Sequence, residues 1–317
     1  MTPNAKNMRL GLSFGAEDLH LIQAEETAGR LKINFIKDVS ASIPFSIDLL
    51  SEDSGAEMVG AELRKTFDEH GISAKELALS LDLNLGVIVK IPYENKLSEK
   101  DLTTHLKWEL LQYVDEDIDN YTFDSYKLIQ SPSMKRPELV MVGTRNRVIE
   151  FYRNVCHSAD VDLAAVNIDV IAAVNAFEAN YKFKPNEKIA LVEVGERKLV
   201  FTLLEGNFFI GHQYIFLDET VQGNFMSTVP DLIAMNLKTL FTDYELGGGS
   251  ESFDHVFLYR TNTKFDMTQI VGTISDNDAY SVLNPFEKVK IDPGMSAEID
   301  TEKDNSEYVE AVGLALY

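Results

Sequence analysis

Residues 189–206 read Ile-Ala-Leu-Val-Glu-Val-Gly-Glu-Arg-Lys-Leu-Val-Phe-Thr-Leu-Leu-Glu-Gly. Leu191, Val192 and Val194 form an apolar run, Gly195 to Lys198 breaks it, and an aliphatic run of strand length resumes from Leu199 to Leu204. That is a strand, a tight turn and a second strand. The pattern recurs near the start of the chain. Leu10-Gly11-Leu12-Ser13-Phe14-Gly15 aligns with Ala190-Leu191-Val192-Glu193-Val194-Gly195, and after each glycine three residues lead to a leucine, Leu19 or Leu199. The two glycines are 180 residues apart, far more than the roughly 20–50 residues of a solenoid repeat. The repeat therefore predicts two related lobes, each opening with the same hairpin.

The chain has 317 residues, 45% of them hydrophobic, as expected of a folded globular chain long enough for about two domains. It holds no apolar run near the roughly 20 residues that span a bilayer, and its start lacks a signal-peptide apolar region, so a cytoplasmic location is expected. One cysteine, Cys156, excludes an internal disulfide and reads as a small apolar filler on a helix. A net charge of −22 argues against nucleic acid and against adhesion to anionic lipid, because neither finds a dense basic stripe.

Between the hairpins the pattern predicts a strand at 31–39 and a helix at 56–70 ended by Gly71. Strands follow at 76–82 and 87–91. Ser98 and Asp101 have capping-box spacing and open a helix carrying Leu102, Leu106 and Leu110. Strands at 121–129 and 139–142 come next, then a helix at 146–157 with Thr144 as its cap. Residues 76–161 thus carry a strand, strand, helix, strand, strand, helix pattern, enough for a small α+β subdomain. A strand at 163–168 and a helix through Val170, Val174 and Phe177 lead to the linker 182–187. Beyond the second hairpin we expect a strand at 208–215 and an amphipathic helix at 229–241 burying Leu232, Met235, Leu237 and Leu240. A flexible loop at 247–250, a strand at 255–259, a helix at 267–274, a short strand at 289–291, a mobile acidic segment at 292–304 and a closing helical stretch complete the pattern.

Motifs for chemistry are missing. Asp115, Asp117 and Asp119 resemble the start of an EF-hand, but Asn120 and Tyr126 occupy its turn and bidentate positions. No HExxH, zinc cluster, P-loop or GxSxG elbow occurs. No catalytic residue and no metal site is expected.

The two hairpins, the interrupting segment with its Trp108-Glu109 run, Asn284-Pro285-Phe286 and the closing Ala311-Val312-Gly313-Leu314-Ala315-Leu316 together resemble the PilM family of type IV pilus assembly proteins. That family is actin-like ATPases, akin to the cell-division protein FtsA. The resemblance implies an α/β, actin-like (RNase H-like) two-lobed fold, with the first lobe at 1–182, the small inserted subdomain at 76–161 and the second lobe at 183–317. It also implies a nucleotide cleft between the lobes and a cytoplasmic protein held at the inner membrane by the tail of a membrane-anchored partner.

The chain departs from the family where nucleotide should bind. Ser13 replaces the first hairpin's aspartate, and Ala16, Glu17 and Asp18 follow Gly15 where a small hydroxyl-bearing turn belongs. Glu193 replaces the second aspartate, and Glu196 follows Gly195. Tyr259-Arg260-Thr261-Asn262 stands where a Gly-Gly adenosine motif belongs, and the outer part of the second lobe is expected to be reduced. Carboxylates aimed at a triphosphate oppose its binding. The expectation is a degenerate cleft at Ser13, Gly15, Glu193 and Gly195, no cofactor, and a scaffold of a pilus or type II secretion-like assembly. The alternative is an active ATPase with ATP and magnesium, Glu193 positioning a metal-bound water. A membrane-adhering filament former is a third class and lacks the amphipathic anchor it needs. Trp108 and Tyr113 lie off the leucine stripe of helix 100–113 and are the expected contacts for the partner's tail; otherwise they pad the insert's own core.

Overall fold

The computed structural model describes residues 8–15, 18–27, 30–40, 49–50, 52, 54–72, 75–93, 97–128, 136–246, 252–274, 279–293 and 303–316. The first hairpin is β1 (Met8–Phe14) and β2 (Asp18–Thr27), extended by β3 (Arg30–Ser40). Helix α1 (Gly55–His70) returns the chain to β4 (Glu76–Leu81). Gly71, at φ 64°, ends α1 as the sequence predicts, since an αL residue donates back to a carbonyl of the last turn without a Cβ clash. β8 (Asp162–Ile168) completes the sheet, and β14 (Lys290–Ile291) joins its edge from the far end of the chain, giving the order β14-β3-β2-β1-β4-β8.

The second hairpin, β9 (Lys188–Val194) and β10 (Lys198–Glu205), continues into β11 (Phe208–Phe216). Helices α5 (Glu219–Gly223) and α6 (Phe225–Asp243) lead to β12 (His255–Arg260), and α7 (Met267–Ile274) leads to β13 (Tyr280–Val282). The order is β11-β10-β9-β12-β13. In both sheets three antiparallel strands are followed by two parallel ones lying beside the first strand. The 180-residue offset survives in three dimensions. Gly15 N–H donates to Asp18 O at 2.7 Å and Gly195 N–H to Lys198 O at 3.0 Å, while Leu10 pairs with Leu77 and Ala190 with Val256.

Residues between β4 and β8 build a separate three-stranded sheet from β5 (Gly86–Pro92), β6 (Tyr121–Lys127) and β7 (Glu138–Arg145), in the order β5-β7-β6. Helix α2 (Glu99–Leu110) packs Leu106 and Leu110 on Val89, Ile91, Leu139 and Met141. Ser98 caps α2 as expected, accepting the Asp101 N–H at 3.2 Å. Two boundaries differ from the sequence reading. Residues 76–81, read as the insert's first strand, pair with β1 in the main sheet, and α3 (Asn146–Ser158) packs Phe151 and Val155 into the core over α1. The separate sheet thus spans Gly86 to Arg145. Thr144 does not cap α3: it is still in β7, and its hydroxyl donates to Leu85 O at 2.6 Å.

Helices α1 and α3 cover one face of the first sheet, and α6 and α7 cover the outer face of the second. Between the sheets lie α4 (Asp169–Asn180) and α8 (Val309–Ala315), which share one core with Ile22, Ile33, Leu191, Val200 and Phe257. Such close layers need absent side chains. A Cβ on Gly313 would fall 1.8 Å from Ala172 O in α4, and one on Gly11 2.2 Å from Ala311 O in α8. Met235, predicted as buried, is 59% exposed because the α6 stripe that meets the sheet runs through Val229, Ile233, Leu237 and Leu240. The predicted loop at 247–250, most of the acidic segment 292–304, and Ala16 and Glu17 lie outside the described residues.

Candidate functional site

The carboxyl ends of β4, β8 and β9 converge between the lobes, where open α/β sheets place their functional groups. Asp82 follows β4, and its Oδ1 accepts the Asn84 N–H at 2.7 Å in the tight turn Leu83–Leu85. Asp169 follows β8 as the first residue of α4 and accepts the N–H groups of Leu83 at 2.9 Å and Val170 at 2.7 Å. Glu193 projects from β9.

Lys198 lies among all three. Its Nζ is 3.0 Å from Asp169 Oδ2, 3.2 Å from Asp82 Oδ2 and 3.4 Å from Glu193 Oε1. Local geometry explains how it gets there. Gly195 N–H closes the turn onto Lys198 O, so the two residues face each other, and a Cβ on Gly195 would lie 3.6 Å from Lys198 Cγ. The bare glycine leaves room for the lysine stem, and Glu193, two residues back on the same face, is the diagonal neighbour. Glu310 of α8 completes the group, accepting the Ser80 hydroxyl at 2.7 Å, while Tyr152 OH donates to Ser80 O at 3.0 Å.

The cluster holds one ammonium against four carboxyls, three of them buried. Burial works against the Lys198 charge, yet Asp169, Glu193, Asp82 and Glu310 together keep its pKa well above the lysine range. Burial drives the Glu193 carboxyl up to about 8 against the pull of Lys198, and Asp169 and Asp82 add to the rise. Burial, and then Glu193 and Asp169, hold Glu310 well above the carboxylate range. Asp82, 38% exposed, is the rim of the cluster.

The predicted cleft residues take these places. Ser13 is buried on β1 opposite His20, and its hydroxyl has no partner among the described residues. Gly15 and Gly195 both meet Thr261: a Cβ on Gly15 would lie 3.0 Å from Thr261 O, and one on Gly195 3.3 Å from Thr261 Oγ1. The chain leaving β12 therefore lies against both hairpin turns. Arg260, beside it, donates to Phe265 O at 2.6 Å and Asp304 O at 3.1 Å and pairs with Glu307 at 3.0 Å, tying β12 to the closing segment. Glu196 is exposed. Cys156 is buried, and burial pushes its thiol up to about 12, consistent with inert filler. Sequence reading missed Lys198, taking it as part of the turn. The available signal was a lysine facing a glycine across a turn, with an acid two residues back.

Trp108 and Tyr113 sit on the insert at 58% and 56% exposure, with Leu111 exposed between them. Trp108 stacks on His105 at 6.4 Å. They do not pad the insert's core, which Leu106 and Leu110 fill. Among the described residues, no helix is long and apolar enough to cross a membrane, and no group of acids, histidines and cysteines is arranged to hold a metal ion.

No curated protein matches this sequence. Among solved structures, a PilM–PilN type IV pilus biogenesis complex is 16% identical over 97% of each chain with a TM-score of 0.74. The ethanolamine utilization protein EutJ from Carboxydothermus hydrogenoformans is 11% identical, with 100% of this chain and 91% of that one covered and a TM-score of 0.51. These likenesses show an actin-like fold. The family model for the type IV pilus assembly protein PilM matches residues 11–228, more than half of the chain, and the protein belongs to the PilM family of type IV pilus assembly proteins.

Proposed function

We propose that this PilM-family protein is a non-hydrolysing scaffold at the inner membrane, holding the short cytoplasmic tail of a membrane-anchored partner in a type IV pilus or type II secretion-like assembly. The observation that carries the first half is Lys198. Its ammonium is bonded to Asp82, Asp169 and Glu193 where a magnesium-bound phosphate would need both the space and the carboxylates. Thr261 stands against both glycine turns, and the Gly15 and Gly195 N–H groups are already taken by Asp18 O and Lys198 O. These residues do not fit a nucleotide. Isothermal titration with magnesium-ATP is expected to give no saturable heat up to millimolar nucleotide; a micromolar dissociation constant would overturn the reading in favour of an ATPase.

The second half rests on the insert. In this reading the lobes are residues 1–182 and 183–317, with α8 returning to the first, and the insert offers Trp108, Leu111 and Tyr113 to solvent. Isolated aromatics beside an acidic loop at Asp115, Glu116, Asp117 and Asp119 suit a basic tail, as tails flanking a membrane span on the cytoplasmic side commonly are. The similar solved structure is itself a complex of a PilM with PilN, which supports a PilN-like partner here. Trp108→Ala is expected to weaken capture of that partner's tail by about 30-fold, since an aromatic anchor is often worth ~2 kcal/mol. Undiminished capture by Trp108→Ala, and by a chain whose residues 86–145 are replaced with a short linker, places the interface elsewhere.

A further inference from the structure

Strand β11 forms the end of the second sheet, and no other strand pairs with its outer side among the described residues. Its pairing with β10 fixes which backbone groups face outward. Leu217 N–H donates inward to Arg197 O, so by the alternation of an antiparallel ladder Ile215 and Gln213 also face β10, whereas His212, Tyr214 and Phe216 turn their N–H and C=O groups out. His212 fits this scheme, because its outward carbonyl accepts the Tyr244 hydroxyl at 3.2 Å. Beyond Tyr244 the edge carries Tyr214 and Phe216. Phe216 is 66% exposed, and the two rings meet edge to face at 5.3 Å.

Edge strands are ordinarily protected by lysine, proline or a bulge. β11 contains neither lysine nor proline, and its irregularity lies at the far end, opposite Leu203 and Leu204. Two exposed aromatics on an open edge are the features of a strand-addition site, in which main-chain bonds supply affinity and alternate side chains supply selectivity.

We propose that the outer edge of β11 docks an extended, lysine- or arginine-bearing segment of another protein, which adds as a strand beside Tyr214 and Phe216. Charge selects this occupant over a second copy of the chain. Asp218 and Glu219 follow the strand, Glu196 lies on the turn facing its end, Asp243 and Glu245 flank Tyr244, and all five are exposed. Arg197 is the basic residue at this end. Pairing β11 with its own copy would bring these acids together in a chain of net charge −22, which opposite-strand like charges penalise. A basic segment meets them favourably, and its cations can lie on the two ring faces. β11 belongs to the second sheet and α2 to the insert, whose Lys90 donates to Ile210 O at the other end of β11 at 2.9 Å, and this proposal does not rest on the tail site above.

The test uses the full chain and an end-blocked heptapeptide alternating lysine and valine, with a glutamate and valine peptide as its counterpart. The lysine peptide is expected to bind and to slow hydrogen exchange at the Tyr214 and Phe216 amides by at least tenfold, and the glutamate peptide is not. Phe216→Pro removes an outward N–H that makes no bond to β10, so the variant keeps its melting profile and loses at least tenfold in peptide affinity. Phe216→Ala, which keeps the backbone intact, is expected to lose severalfold. Equal binding of both peptides, binding unchanged in Phe216→Pro, or protection of other amides alone overturns the proposal. So does concentration-dependent protection of Tyr214 and Phe216 without peptide, accompanied by a dimer in sedimentation, since a second copy then takes the edge.

Discussion

Lys198→Met is expected to lower the unfolding free energy by about 3–5 kcal/mol, the cost of leaving buried charge without its partner, read as a shift in urea midpoint at pH 7.5. Methionine fills much of the lysine's volume, so the loss reports the ammonium and not a cavity. Asp169 would keep its two backbone donors, but Glu193 and Glu310 would share a dry site with it and with no cation. The effect has a definite sign in pH. The Glu193 carboxyl is raised from the ordinary glutamate range near 4.5 to about 8, mainly by burial. The folded state therefore holds a proton that the unfolded chain releases, and this group's contribution is complete below about pH 4.5 and is lost as pH rises to about 8. Without the ammonium the carboxyl is raised further, so the variant should go on losing stability above about pH 8, where the wild type's loss from this group levels off. A variant as stable as the wild type, with the same pH slope, would mean that the cluster does not join the lobes.

Gly313→Ala should cost about 3 kcal/mol or more, at the upper end of core overpacking. The added Cβ falls 1.8 Å from Ala172 O and 2.7 Å from Ala172 C, and both are backbone atoms of α4. No rotamer change relieves the clash. The two central helices must separate, and with them the core that Leu191, Phe257 and Ile22 share. Gly272→Ala in α7 is the matched control: its Cβ meets nothing within 4 Å, so replacing a helical glycine should be neutral or gain up to about 1 kcal/mol. Thermal melts of the two variants side by side check both statements. A Gly313→Ala protein that melts with the wild type would show that α4 and α8 yield easily.

Local signals proved as good as their range. The alternation around Leu77, Leu79 and Leu81, the Ser98 cap and the Gly71 terminus depend on neighbours within a few residues, and they stand where expected. Thr144 failed because its hydroxyl found a partner 59 residues away, at Leu85 O. Met235 failed because periodicity defines a stripe but not which of its margins meets the sheet. Residues 76–81 read as a sound strand, but pairing partners are chosen by the fold, and β1 took them. The exposure of Trp108 was legible as a departure from the Leu102, Leu106 and Leu110 stripe, since side chains off the packed face of a helix point away from it. Helix α2 ends at Leu110, however, and Tyr113 lies in the turn beyond it, where the stripe has no bearing.

By itself the sequence determined the repeated hairpin and the interrupting segment, because each is a matter of residue type and spacing along the chain. Only the tertiary structure decided what stands at the junction. Asp82, Asp169, Glu310 and the Glu193–Lys198 hairpin come from four different places in the chain. Glu193 and Lys198 are neighbours across one turn, but nothing local in the sequence joins them to Asp82, Asp169 or Glu310. A charge is placed in a protein interior by the partners that compensate it, and those partners meet only when both sheets and the two helices between them have closed.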